Sequence, residues 1–330
     1  AADTLTIAAD SIDNTLGTLA ANADIQLTAA TALTNNQGLL QAAGNLSASA
    51  QHIDNSAGTI QAATAQLNAQ QSINNAAGVI SAQTLALSTA TLNNSYGVIL
   101  ATDTSDNSLQ LTEVGQLNNS NGTVASHGRN WDFTLAGLNN DNGKLLHLGT
   151  GTFTLSQAGN LANTGTIASN ANLVINAGNV SNSGTLQAQQ QLQLNSGVAN
   201  QAGAVLVANN ITLNAAGNSI TNAGSISAAN NLQLDAASVT NSHLLYAGNN
   251  ALVNAANVSN SGTWSANNLN VSGFNLLQNS GRIESNTATY TGNTLQNQAS
   301  GVLINAATAA NSLQLNVAQL TNSGTLYNNA

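Results

Sequence analysis

Between residues 127 and 147 the sequence gathers side chains that are scarce elsewhere: His127, Arg129, Trp131, Asp132, Lys144 and His147, in a chain only 5% charged. Imidazole, guanidinium, ammonium and carboxylate groups together could move protons or hold a partner. Proton chemistry on polysaccharides needs clustered carboxylates, often with a calcium ion or a basic acceptor. The acids on offer are Asp103, Asp106, Glu113, Asp132 and Asp141, and no segment sets them at matched positions with a basic residue. His52, His127, His147 and His243 include no two at metal-ligand spacing. A calcium nonapeptide with paired glycines does not occur. The sequence therefore predicts no catalytic, metal or cofactor site. The six residues are expected to form a recognition patch for a receptor or glycan on a host or neighbouring cell.

What must position them is a repeat. The phrase Val180-Ser181-Asn182-Ser183-Gly184-Thr185-Leu186 returns as Val258-Ser259-Asn260-Ser261-Gly262-Thr263-Trp264 and as Leu320-Thr321-Asn322-Ser323-Gly324-Thr325-Leu326. Alignment on the glycine gives sixteen copies, from Gly17 to Gly324, fifteen with Gly and one with His243, at spacings of 19 to 25. Two places after the glycine stands an apolar residue, including Leu19, Ile60, Leu186, Val205, Trp264 and Leu326. A period near twenty residues marks a solenoid, in which each repeat packs only on its neighbours.

Apolar residues alternate within each repeat, as in Leu192-Gln193-Leu194 and Ile25-Gln26-Leu27, which predicts strands. Three short strands in about twenty residues leave tight corners. The recurring pairs Asn55 and Gly58, Asn75 and Gly78, Asn182 and Gly184, Asn260 and Gly262, Asn322 and Gly324 are assigned to them, since Gly and then Asn best tolerate positive φ. Stacked coils also place like residues about 4.8 Å apart, where amides can bond in ladders and charges repel. The expected fold is all-β: a right-handed parallel β-helix of about 16 coils of about 20 residues, its hand following the rule for parallel crossovers. Trp264, Phe133 and Leu135 are expected in the core with Trp131 at the same parity, and Tyr246 and Tyr327 outside. His147 occupies a column of Ala and Ser, so it either projects from its corner or marks a slip in register.

Composition agrees with an uninterrupted sheet: no Pro removes a backbone donor and no Cys staples the chain. Three basic residues against twelve acids, a formal net charge of −9, argue against nucleic acid and anionic membrane as partners. No apolar run of about 18 residues is present, so no membrane-inserted segment is expected. Residues 1–330 are expected to form a single elongated β-helix, an excerpt from a longer array. Two sub-regions are expected: 1–143 with Asn-x-x-Gly corners and 144–330 with mostly Asn-x-Gly corners. The 25-residue step from Gly97 to Gly122 predicts an insertion at 102–113.

The phrase Ile73-Asn74-Asn75-Ala76-Ala77-Gly78-Val79-Ile80-Ser81-Ala82, followed by an alternating Leu-x-Leu strand, closely resembles the filamentous haemagglutinin repeat. That resemblance implies a bacterial exoprotein of the two-partner-secretion group, which includes adhesins and contact-dependent growth inhibition effectors. It implies an outer-membrane transporter as partner and a secreted or cell-surface location. The expected role is a rigid stalk in a monomeric filament, holding a distal binding or effector region away from the cell. The alternatives are a receptor-binding region of an inhibition effector and a carbohydrate-active β-helix enzyme. The family's N-terminal secretion domain and any C-terminal toxin domain are not in this sequence.

Overall fold

A computed structural model describes residues 4–308 and 312–329; the outermost residues of the expected 1–330 span, 1–3 and 330, lie outside the described residues. The fold is all-β, with parallel strands stacked as a β-solenoid of about 16 turns. The chain divides into two compact units, Ala1–Ala171 and Asn172–Ala330.

In the first unit the apolar column runs in register through Leu19, Leu40, Ile60, Ile80, Ile99, Val124, Leu145 and Ile167. In the second it runs through Leu186, Leu206, Ile226, Leu245, Trp264, Ile283, Leu303 and Leu326. Side chains of this column away from the outermost coils are buried, Trp264 included, and each contributes about 1.5–3 kcal/mol of apolar burial. Val205 is a correction. Gly203 bulges outward at φ +80°, Ala204 takes the corner glycine's place, and Leu206 rather than Val205 enters the core.

A second strand supplies another pair of inward residues, such as Leu192 and Leu194 stacked on Ile211 and Leu213. A third ends at the buried Asn. In Thr59–Asn74, Ser225–Asn241, Leu244–Asn260 and Thr263–Asn279 the three faces form one strand that rounds the corners. Bulges take up the turn, as between Ala247 and Asn250.

The fixed Asn builds a ladder inside each unit. The amide of Asn55 donates to Asn75 Oδ1 at 2.7 Å, and its Nδ2 also faces the Gly58 and Val79 carbonyls at 3.2 and 3.1 Å. Two carbonyls in reach of Nδ2 decide the amide's orientation, a pattern shared by Asn14, Asn35, Asn75 and Asn94, and the amide-to-amide bond repeats from Asn14 to Asn140. In the second unit the ladder runs from Asn182 through Asn200, Asn222, Asn241, Asn260, Asn279 and Asn297 to Asn322. Outside it, Asn139, Asn118, Asn93 and Asn74 form a second ladder with the opposite direction of donation, ending on the Asp54 carboxylate. Their Oδ1 atoms also accept the backbone N–H two residues on, an Asx turn that reverses the polarity.

The corner glycines have a different reason from the one expected. In the Asn-x-x-Gly corners up to Gly143, positive φ falls on the residue before the glycine, at Leu16, Gln37, Ala57, Ala77, Tyr96, Asn121 and Asn142, and not on the glycine. The glycine is needed for close approach: a Cβ on Gly58 would overlap the Asn35 carbonyl oxygen of the preceding coil and lie 2.7 Å from Asn55 Oδ1. The expected insertion at 102–113 is a loop only between Ala101 and Leu109; Leu109–Thr112 is a strand paired with Leu85–Ser88.

Candidate functional site

The residues singled out by their chemistry lie in the first unit, on Thr123–Ser126, Trp131–Leu135 and Lys144–His147 and the corners that follow. The structure separates them into an interior group and a surface group. Trp131 and His147 are 0% and 1% exposed, which takes both out of the expected recognition patch. His147 neither projects nor slips; it stacks in register between Ser126 and Ser169. Room for the ring comes from Gly149 at the corner, because a Cβ there would lie 2.8 Å from His147 Nε2.

The hydrogen bonds assign the imidazole's form. Nε2 lies 2.9 Å from the Gly128 carbonyl and 3.0 Å from that of Arg129, so it carries the proton, and Nδ1 accepts from the Ser169 hydroxyl at 2.8 Å. Ser169 Oγ in turn accepts the Ala171 N–H. Burial pushes the His147 pKa below the usual histidine range, opposed by the two carbonyl bonds and the Asp132 charge. The unfolded chain therefore binds the proton more readily than the buried ring. Stability should fall as pH drops below the ordinary value of about 6.5, and level off only once the buried ring is itself protonated. Chemical denaturation of the wild type and His147→Gln across this window checks the point. The variant's midpoint should move less with pH, and identical pH profiles would remove the assignment.

Beside His147 lies an aromatic cluster. Trp131 stacks on Phe153 with ring centroids 4.5 Å apart, and Phe133 tilts against both. Register puts Trp131 opposite Phe153 and Phe133 opposite Leu155, so the cluster follows from two neighbouring coils each placing aromatics in inward columns.

The surface group is Arg129, Asp132 and Lys144, all exposed, with His127 half-buried. Arg129 is committed: its Nε donates to Asp106 Oδ1 at 2.9 Å and its Nη2 pairs with Oδ2, while Asn130 Nδ2 donates to Oδ1 at 2.8 Å. That bidentate pair holds the Asp106 carboxyl below the usual carboxylate range. It ties the loop before Leu109 to the next coil. The sequence signal was the separation of 23 residues, close to one coil, between the acid and the base.

The remaining acids do not converge. Asp103 accepts the Ser105 N–H, Glu113 accepts from Ser88 at 3.4 Å, and Asp141 accepts from Thr164 at 2.7 Å. No group of three or more His, Asp or Glu placed to hold a metal occurs among the described residues.

The Haemagglutinin repeat family matches the chain over residues 1–77 and 185–273, half its length. No curated protein and no solved structure matches it. The matched segments fall in both units, and in each the buried Asn ladder lies between coils sealed by the apolar column. The chain belongs to the haemagglutinin repeat family.

Proposed function

We propose that the chain is a rigid stalk segment of a large filamentous adhesin at the bacterial surface, exported through the outer-membrane transporter of a two-partner system. The observation that carries this reading is the inner amide ladder. Within each unit every coil is bonded to the next through a buried side chain as well as through backbone, so a coil cannot tilt without breaking both. The exterior supports it, since half-exposed Asn ladders replace charge, and repulsion between stacked like charges is avoided.

The second reading, a receptor-binding region of a contact-dependent growth inhibition effector, is favoured by one surface. There the loop before Leu109 breaks the regular columns, His127 follows one coil on with its N–H on the Ala101 carbonyl, and Asp132 and Lys144 are exposed further along that coil and the next. Both readings meet in one experiment on the parent protein at the cell surface. Excision of Leu244–Gly262 removes one coil in register, because Leu244 stacks on Thr263, and shortens the stack by about 4.8 Å. A stalk keeps its target-cell binding after that excision and after Lys144→Ala with Asp132→Ala. Loss of binding in the double variant alone, with the fold intact, replaces the stalk reading with the receptor reading.

A further inference from the structure

Among the many Asn residues of the chain only two are followed by glycine, Asn121-Gly122 and Asn142-Gly143. Both pairs lie in the first unit, at the same place in adjacent corners, with the asparagine at φ +55° and +51°. Both asparagines are exposed and both glycines are buried. Such a pair can react with itself. The glycine nitrogen loses its proton and attacks the asparagine side-chain amide carbon; a C–N bond forms and the amide nitrogen leaves as ammonia. Water then opens the five-membered imide at either carbonyl, giving aspartate or isoaspartate. A side chain on the second residue crowds the attack, and a hydrogen bond that occupies the glycine N–H opposes it.

The fold treats the two pairs differently. Asn121 N–H donates to the Asp141 carbonyl of the next coil at 2.8 Å, as Ala57, Ala77 and Tyr96 donate to Ala76, Ser95 and Ser120. Asn142 is the last of that series. The coil beyond turns one residue sooner, through Asn163-Thr164-Gly165, and Asn142 N–H has no acceptor among the described residues. The nucleophile is also held less closely: Gly122 N–H bonds to the Asn119 carbonyl at 3.0 Å, whereas the bond from Gly143 to Asn140 is 3.2 Å, the longest of the seven such bonds from Gly17 to Gly143.

We infer that Asn142 is a site of spontaneous modification in the folded chain, deamidating through an imide with Gly143, while Asn121 is protected by the coil stacked on it. Opening the Asn142 corner breaks one backbone hydrogen bond fewer, so its reactive form should be about five- to tenfold more populated. The product places a new carboxylate next to Asp141. Isoaspartate also lengthens the backbone at a corner without spare room, since even a Cβ on Gly143 would overlap the Asn119 carbonyl oxygen. Modification therefore loosens the stack, with age, where one corner type hands over to the other.

The test is incubation of the intact folded chain in mildly alkaline heavy-oxygen water, followed by peptide mapping. Trypsin cuts after Arg129 and Lys144, so Asn142 falls in peptide 130–144; a second protease supplies a peptide containing Asn121. Label should enter at Asn142 about fivefold or more faster than at Asn121. In urea the two rates should agree within about twofold, because the difference belongs to the coils and not to the dipeptides. Asn142→Gln should abolish label in peptide 130–144, since Gln closes a six-membered imide far more slowly, and Gln37 already occupies this corner position at positive φ. Equal rates in the folded chain, faster reaction at Asn121, label that persists in Asn142→Gln, or the same bias toward Asn142 in urea overturns the proposal.

Discussion

Asn75→Ala should destabilise the protein by about 3–5 kcal/mol, since it strands several buried polar groups at once. Asn75 is fully buried; its Nδ2 donates to Asn94 Oδ1 at 2.8 Å and faces the Gly78 and Val98 carbonyls at 3.2 and 3.1 Å, while its Oδ1 accepts from Asn55 at 2.7 Å. Alanine replaces none of these, and each orphaned group carries a desolvation penalty of about 1–3 kcal/mol. Asn75→Asp should be at least as harmful at neutral pH, because it aims a carboxylate at acceptors. Asn93→Ala, one coil on in the half-exposed outer ladder, should lose only about 0.5–1.5 kcal/mol, as water can replace its partners. Urea denaturation of the three variants, with amide exchange to locate the damage, distinguishes them. Exchange should accelerate first in the coils around Asn75, because stability in a stack is a sum over neighbours. Equal losses at Asn75 and Asn93 would show that the inner ladder does not hold the coils together.

Gly58→Ala should lower stability by about 3 kcal/mol or more, from overlap alone. The added methyl would overlap the Asn35 carbonyl oxygen and approach Asn55 Oδ1 at 2.7 Å and Asn35 Nδ2 at 3.0 Å. None of these is the loose end of a flexible side chain: the carbonyl is backbone, and both amides are fixed in the ladder. The two coils must separate, which stretches the backbone bonds on either side. Gly159→Ala is the matched control, with no atom within 4 Å of the new methyl and no positive φ, and should change stability by no more than about 0.5 kcal/mol. Thermal unfolding of both variants is sufficient. A Gly58→Ala protein that melts with the wild type would place the glycine's role in its φ and return the corner to the explanation first read from sequence.

The two results bear on function through stiffness. A stalk transmits reach only while its coils keep register. In each unit register is held by an apolar column on one side of the corner and an amide ladder on the other. On the stalk reading proposed above, weakening either loosens the stack locally without unfolding it as a whole, so adhesion by a distal region should decline through lost reach rather than lost contact.

The periodic part of this protein is determined by its sequence alone. Leu186, Ile60 and Trp264 enter the core because each repeat places an apolar residue two steps past the corner, and stacking requires every coil to put like residues in like columns. The amide ladder was legible for the same reason. What the tertiary structure decided lies where the chain leaves its period. Whether Val205 or Leu206 turns inward depends on one extra residue absorbed at Gly203. Whether His147 is a contact residue or a core residue depends on space left at Gly149 and on the Gly128 carbonyl of the neighbouring coil that its ring meets. Arg129 meets Asp106 only because a loop bulges far enough to reach it. Columns repeat one local pattern and can be read residue by residue, whereas corners depend on the path of the neighbouring coil, and that path exists only once the coils have stacked.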